Sequence, residues 1–146
     1  MKPVTIKKIK DELHYKSSQE LIELCLKLSK FKKENKELLS YLLFDAEDEE
    51  SYINSVNEYI TLLFADINTK SFFYIRKSVR KILKLTKKYI RYSKKKETEV
   101  ELLLHFCKEL KEISPSISKS PRLLNVYNME TFGWLASQNQ RLFFVP

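Results

Sequence analysis

The residues of this chain best spaced to do chemistry are Glu101, His105 and Glu109. Steps of four put all three on one face of a helix, the geometry in which a helix presents metal ligands or an acid–base pair. Leu102, Leu103, Leu104 and Phe106 surround His105, and a histidine in such company more often serves as a solvated or hydrogen-bonded side chain. No C-x-x-C or H-E-x-x-H pairing accompanies it, so neither a metal nor a cofactor is expected. His14 follows Leu13 on a short charged helix, and no functional role is expected for it. Asp45, Glu47, Asp48, Glu49 and Glu50 form an acidic cluster. It lacks the central glycine and the alternating oxygen ligands of a calcium loop, and it reads as a solvated helix start in which negative charge suits the macrodipole.

Gly133 is the single glycine in 146 residues. That excludes a P-loop and a dinucleotide-binding turn, both of which need glycine for close backbone approach to phosphate. A two-glycine nucleophile elbow is excluded for the same reason. The expected function is therefore non-enzymatic, and the alternative from the enzyme class is a hydrolase or metal-dependent enzyme centred on His105. Cys25 and Cys107 are too few and too far apart for a disulfide framework, and each sits in an apolar run (LIELCLKL, LLLHFCKEL), so both are expected as buried thiols. The N-terminus is charged throughout, and no uncharged apolar run reaches about 18 residues. A cytoplasmic chain without a membrane span is expected.

Charge is more informative than motif. Formal net charge is +8, yet residues 67–96 carry 12 Lys/Arg and no Asp/Glu, which leaves 15 basic and 19 acidic residues elsewhere. The stretch SFFYIRKSVRKILKLTKKYIRYSKKK, residues 71–96, is a long amphipathic helix at 100° per residue. Its cations fall in one arc, and Ile75, Val79, Ile82, Ile90 and other apolar residues fill the opposite half. Within the arc, Arg76, Arg80, Lys84, Lys87, Arg91 and Lys94 are three or four apart and form a narrow strip, the candidate polyanion-binding site. Three readings apply. The strip is a solvated face, charge-paired where the acidic start of a neighbouring antiparallel helix lies level with Lys87, Lys88 and Arg91. Alternatively it binds phosphate backbone without reading sequence, or it meets an anionic membrane surface or an acidic protein.

The remaining elements must position that helix. Helices are expected over 5–15, 18–30, 37–44, 48–67 and 97–113, the second opened by the capping box Ser17–Glu20 and the third strongly buried. Asn68 and Thr69 are the expected caps of the basic helix, and Val100, Leu103, Leu104, Cys107 and Leu110 the buried face of the helix after it. The fold class is all-α, with about six helices in antiparallel hairpins forming a bundle or a short solenoid-like stack. Residues 1–113 are expected as a helical domain. Residues 114–146 are expected as a Ser/Pro-rich linker, a short helix over RLLNVYNME and an aromatic tail, TFGWLASQNQRLFFVP.

SSQELIELCLKLSKFKKENKELLSYLLFD, KSVRKILKLTKKYIRYSKKKETEVELLLHFCKELK and SPRLLNVY resemble a family of small basic helical bacterial proteins known as a domain of unknown function. The resemblance spans roughly residues 17–128 and rests on packing and charge patterns. It implies a helical fold and, after SPRLLNVY, a further polar helix, from which the aromatic tail departs. It implies no activity. The expected function is a helical binding or protein-interaction module, whose partner is another protein, a second copy of the chain or, through the basic face, a nucleic acid.

Overall fold

The computed structural model describes residues 1–142, with side chains through Gly133; Phe143 to Pro146, the end of the aromatic tail, lie outside the described residues. Among them are seven α-helices and no strand: α1 (Ile6–Leu13), α2 (Ser18–Phe31), α3 (Lys33–Ser40), α4 (Glu49–Ala65), α5 (Phe72–Ser93), α6 (Lys96–Glu112) and α7 (Pro121–Leu142). A π-helical turn, Tyr41–Asp45, follows α3, and a 3₁₀ turn, Ile117–Lys119, precedes α7. The chain is all-α. It divides into two compact units, Met1–Phe44 and the segment from Asp45 onward.

The first unit is built on the α2–α3 hairpin. Its capping box forms as the sequence predicts: Ser17 Oγ accepts from Glu20 N at 3.2 Å, and Ser17 N donates to Glu20 Oε2 at 2.8 Å. That backbone N–H holds the Glu20 carboxyl below its usual range. The hairpin turns on Lys32 alone, in extended conformation, and Asn35 Nδ2 donates to Leu28 O at 2.9 Å across the bend. Residues 33–36 are therefore helix, and the chain resumes helical conformation directly after Lys32. Expected burial fails here. α1, α2 and α3 have no buried residue, Cys25 is exposed, and in the ELLSYLLF segment only Tyr41 is buried. The helices are amphipathic, but a pair of short helices encloses too little volume to hide either face.

The second unit has the core. Val56, Ile60 and Phe64 of α4, Ile75, Val79 and Ile82 of α5, and Leu102, Leu103, Phe106, Cys107 and Leu110 of α6 are buried. α6 packs against α4, α5 and α7. The α4 and α6 faces meet at Phe64 and Phe106, whose ring centroids are 5.4 Å apart. α4 and α5 form the expected antiparallel hairpin, locked where Tyr52 Oη donates to Tyr89 O at 2.9 Å. Of the expected core positions on α5 and α6, Ile75, Val79, Ile82, Leu103, Cys107 and Leu110 are buried, Ile90 and Val100 are half-buried and Leu104 is 47% exposed. α6 is rotated one residue from the expected phase: Leu102 and Phe106 take the inward positions, and a step of 100° past Leu103 carries Leu104 out.

The Ser/Pro segment is not a loose tether. Ile117 and Ser120 within it are buried, and Leu123 follows at 1% exposure. The boundary expected at residue 113 thus falls inside the second unit, between two helices that pack together. The expected short helix over RLLNVYNME continues through Gly133 to Leu142 as α7.

Candidate polyanion-binding face

α5 forms because 22 residues without glycine, proline or acid keep apolar and basic side chains in helical phase. Its inward stripe, Ile75, Val79, Ile82 and Thr86, is 0–3% exposed. The one polar member is satisfied: Thr86 Oγ1 donates to Ile82 O at 2.9 Å. The opposite face is thereby fixed outward. Arg80, Lys84, Lys87 and Arg91 are exposed along it, and Arg76 is half-buried at its start.

The strip ends sooner than its spacing predicts. α5 stops at Ser93, and Lys94 adopts a left-handed conformation (φ 57°) with its N–H on Ile90 O at 2.9 Å. Lys94 is exposed, but it sits on the turn rather than on the helix face. The N-terminal cap also differs. Ser71 is the cap residue, without a side-chain bond, while Asn68 Oδ1 accepts from Lys70 N at 3.0 Å in a local turn that precedes the helix.

Acidic partners lie in other places than expected. Lys87 Nζ is held at 2.8 Å by Glu130 Oε1 of α7. The acidic segment before α4 reaches the end of α5 through Glu49, whose Oε2 lies 3.1 Å from Lys95 Nζ. Glu49 Oε1 also accepts from Ser93 and from Thr98, the latter fully buried. Asp48 caps α4, accepting from Ser51 N at 3.1 Å. The cluster thus begins one helix and pins the α5–α6 corner, and it leaves the strip largely uncompensated. Among the described residues, Arg76, Arg80, Lys84 and Arg91 make no ion pair with a carboxylate. Arg91 lines a cleft of about 470 Å³ between α5, α6 and α7, together with Lys87, Lys96, Glu99 and Glu130. Both lysines there are paired, Lys96 with Glu99 at 2.6 Å, so Arg91 is the open cation of that cleft.

Of the residues considered for metal or acid–base chemistry, the structure brings two together and adds a third from another helix. Thr61 Oγ1 of α4 lies 2.8 Å from His105 Nε2 and donates to Glu109 Oε1 at 3.0 Å. Glu109 Oε1 is 3.6 Å from the same ring nitrogen. A hydroxyl has one proton, and Glu109 takes it, so His105 Nε2 must donate to Thr61. The carboxylate and the hydroxyl then share one nitrogen, whereas activating a nucleophile needs them on opposite nitrogens. The trio ties α4 to α6 and does not arm Thr61. Beside it lies a groove bordered by Asn54, Asn57 and Glu58, in which Asn57 Oδ1 is buried without a hydrogen-bond partner. Glu101 stays apart. Among the described residues, no group of three His, Cys, Asp or Glu side chains is gathered as a ligand set. His14 is the exposed C-terminal cap of α1. Thr61 was invisible to sequence reasoning, because its partners lie 44 and 48 positions away and no local spacing connects them.

Among the described residues, no helix is long and apolar enough to cross a membrane. Compared with protein-family models, with curated proteins and with solved structures, the chain matches none of them.

Proposed function

We propose that the chain is a non-enzymatic binding module whose α5 face engages a polyanion, with a nucleic-acid backbone as the ligand. The observation that carries this reading is the set Arg76, Arg80, Lys84 and Arg91, four cations on one helix face with no carboxylate partner among the described residues. They span about 22 Å along a rigid axis, a length that several successive phosphates of a strand can follow. A salt-bridged, self-neutralised face would have its acids opposite these side chains. Here Glu130 of α7 holds Lys87, and Glu49 holds Lys95 on the turn beyond α5. Burial also weighs against insertion into a membrane surface, since the apolar half of α5 is already committed to the core. With no base-reading motif, binding is expected to be independent of sequence. We extend the proposal to kinship with the family of small basic helical proteins that residues 17–128 resemble, which contributes a fold and no activity.

The test is a fluorescence-anisotropy titration of labelled single- and double-stranded oligonucleotides at low and physiological salt. Expected are binding that weakens steeply with salt and a large loss in the triple variant Arg80→Glu, Lys84→Glu, Arg91→Glu. No binding at low salt, or binding indifferent to the triple change, would remove nucleic acid and leave an acidic protein as the partner class.

A further inference from the structure

We infer that the α2–α3 hairpin is a self-association surface, and that a second copy of this chain covers it across a two-fold axis. One side of the hairpin carries Leu21, Leu24, Cys25 and Leu28 from α2, Leu38 from α3 and Leu42 from the π-helical turn after it, with no charged residue among them. Cys25, Leu28, Leu38 and Leu42 line a shallow groove of about 250 Å³ there. The leucines are 36–60% exposed in the whole chain. Together they leave on the order of 400 Å² of apolar surface open, in the range of the largest patch on a typical monomer, which is often functional. A standard interface buries about 800 Å² per partner, somewhat over half of it apolar, so this face supplies about the apolar share that one side of a stable dimer requires. The unit itself has the same need. Its three helices bury nothing of their own, and at this size a unit buries so small a share of its surface that an outside contact adds much to its core.

The pattern favours a second copy over a foreign protein because the face matches itself. In two antiparallel helices related by a two-fold axis, residues whose numbers share a fixed sum lie level. Positions 21, 24, 25 and 28 are symmetric about the midpoint of Leu24 and Cys25. Leu21 then meets Leu28 of the other copy, and Leu24 meets Cys25. The hairpin places the matching point of α3 at the same height. Asn35 lies level with Leu28, to whose carbonyl it donates at 2.9 Å, so the level of Leu24–Cys25 corresponds to Leu38–Leu39, the centre of α3's own stripe. One axis therefore serves both helices, which is the requirement for an isologous contact and gives a four-helix arrangement of two hairpins. On the outer rim of α2, Glu20 and Lys27 fall on the same side, so the axis brings each near the other's counterpart in the second copy. The one polar group on the α3 side, the Asn35 amide, already has its carbonyl partner.

Sedimentation equilibrium on the full chain is the test. A species of twice 17.5 kDa is expected at micromolar concentration, becoming monomeric in Leu28→Glu and in Leu42→Glu. Both positions are more than half exposed, so circular dichroism should show helix content retained. Leu62→Glu, at a position 67% exposed in the second unit, should leave the dimer intact. Because Cys25 lies beside the axis and Cys107 is buried, a short bismaleimide should give a covalent dimer that Cys25→Ser abolishes. A monomer throughout, including one whose leucine face is covered by another protein, overturns the inference. So does a dimer that survives both Leu28→Glu and Leu42→Glu.

Discussion

Glu49 and Lys95 meet with Oε2 and Nζ 3.1 Å apart, joining the start of α4 to the turn between α5 and α6. The other oxygen of Glu49 serves Ser93 and the fully buried Thr98. Removing that carboxylate would leave Ser93 and the buried Thr98 with only each other, at 3.2 Å, in place of a charged acceptor. Glu49→Ala is therefore expected to cost roughly 1.5–3 kcal/mol of stability, the loss of charge-assisted hydrogen bonds. Glu49→Gln should recover part of it. Urea unfolding of both variants measures the difference, and equal stability of Ala and wild type would contradict the role.

The one-residue rotation of α6 gives a sharp contrast. Ile82→Asp should lose several kcal/mol, because it would put an unpaired carboxylate at a position 3% exposed on the apolar inward stripe of α5. Leu104→Asp should change stability by less than about 1 kcal/mol, as an exposed substitution. Thermal unfolding of the pair checks it. A severe loss for Leu104→Asp would mean that α6 presents a different face.

The two thiols should separate by pH. Burial, with the Glu130 carboxylate adding to it, pushes the Cys107 thiol up from 9.0 to about 11. Cys25 is exposed. In the Leu28→Glu chain, whose leucine face is left uncovered, iodoacetamide near neutral pH should modify Cys25 and spare Cys107, whose rate should climb only toward pH 11. The sign of the linked stability follows. Between pH 9 and about 11 the folded chain keeps a proton that the unfolded chain has released, so stability falls across that window and is unaffected by this group below it. Cys107→Ala should flatten that part of the profile.

Within the basic face, paired and open cations should differ. Each phosphate contact removed should lower the slope of log affinity against log salt by about 0.9 on B-DNA. Arg91→Ala and Arg80→Ala should each show that drop. Lys87→Ala should show less, because its ammonium is already held by Glu130. A larger effect at Lys87 than at Arg91 would place the ligand elsewhere.

What could be read from sequence followed from periodicity. The phase of α5 was legible because a run with no acid and one apolar stripe admits a single orientation. The capping box of α2 was legible because it is local. α6 was ambiguous for the opposite reason: three consecutive leucines, Leu102, Leu103 and Leu104, make neighbouring phases nearly equivalent, and only packing against Phe64 and the α5 stripe decides between them. The same limit hid the roles of Glu49 and Thr61. Both act through partners brought close by hairpin geometry, and a Glu in an acidic run carries no mark of the one that turns inward. The exposure of α2 and α3 is not legible in the sequence, because amphipathicity shows that a face wants cover without showing that this chain provides it.

Thr61 has a consequence for the reactivity of His105. With Nε2 committed as a donor to the threonine oxygen, the neutral imidazole keeps its lone pair on Nδ1, the nitrogen that bears no hydrogen in that tautomer. Any electrophile or soft metal ion offered to the ring must then choose the nitrogen nearer the backbone, against the usual regiochemistry of a surface histidine. Replacing Thr61 by valine would remove that constraint on the ring while leaving His105 itself in place.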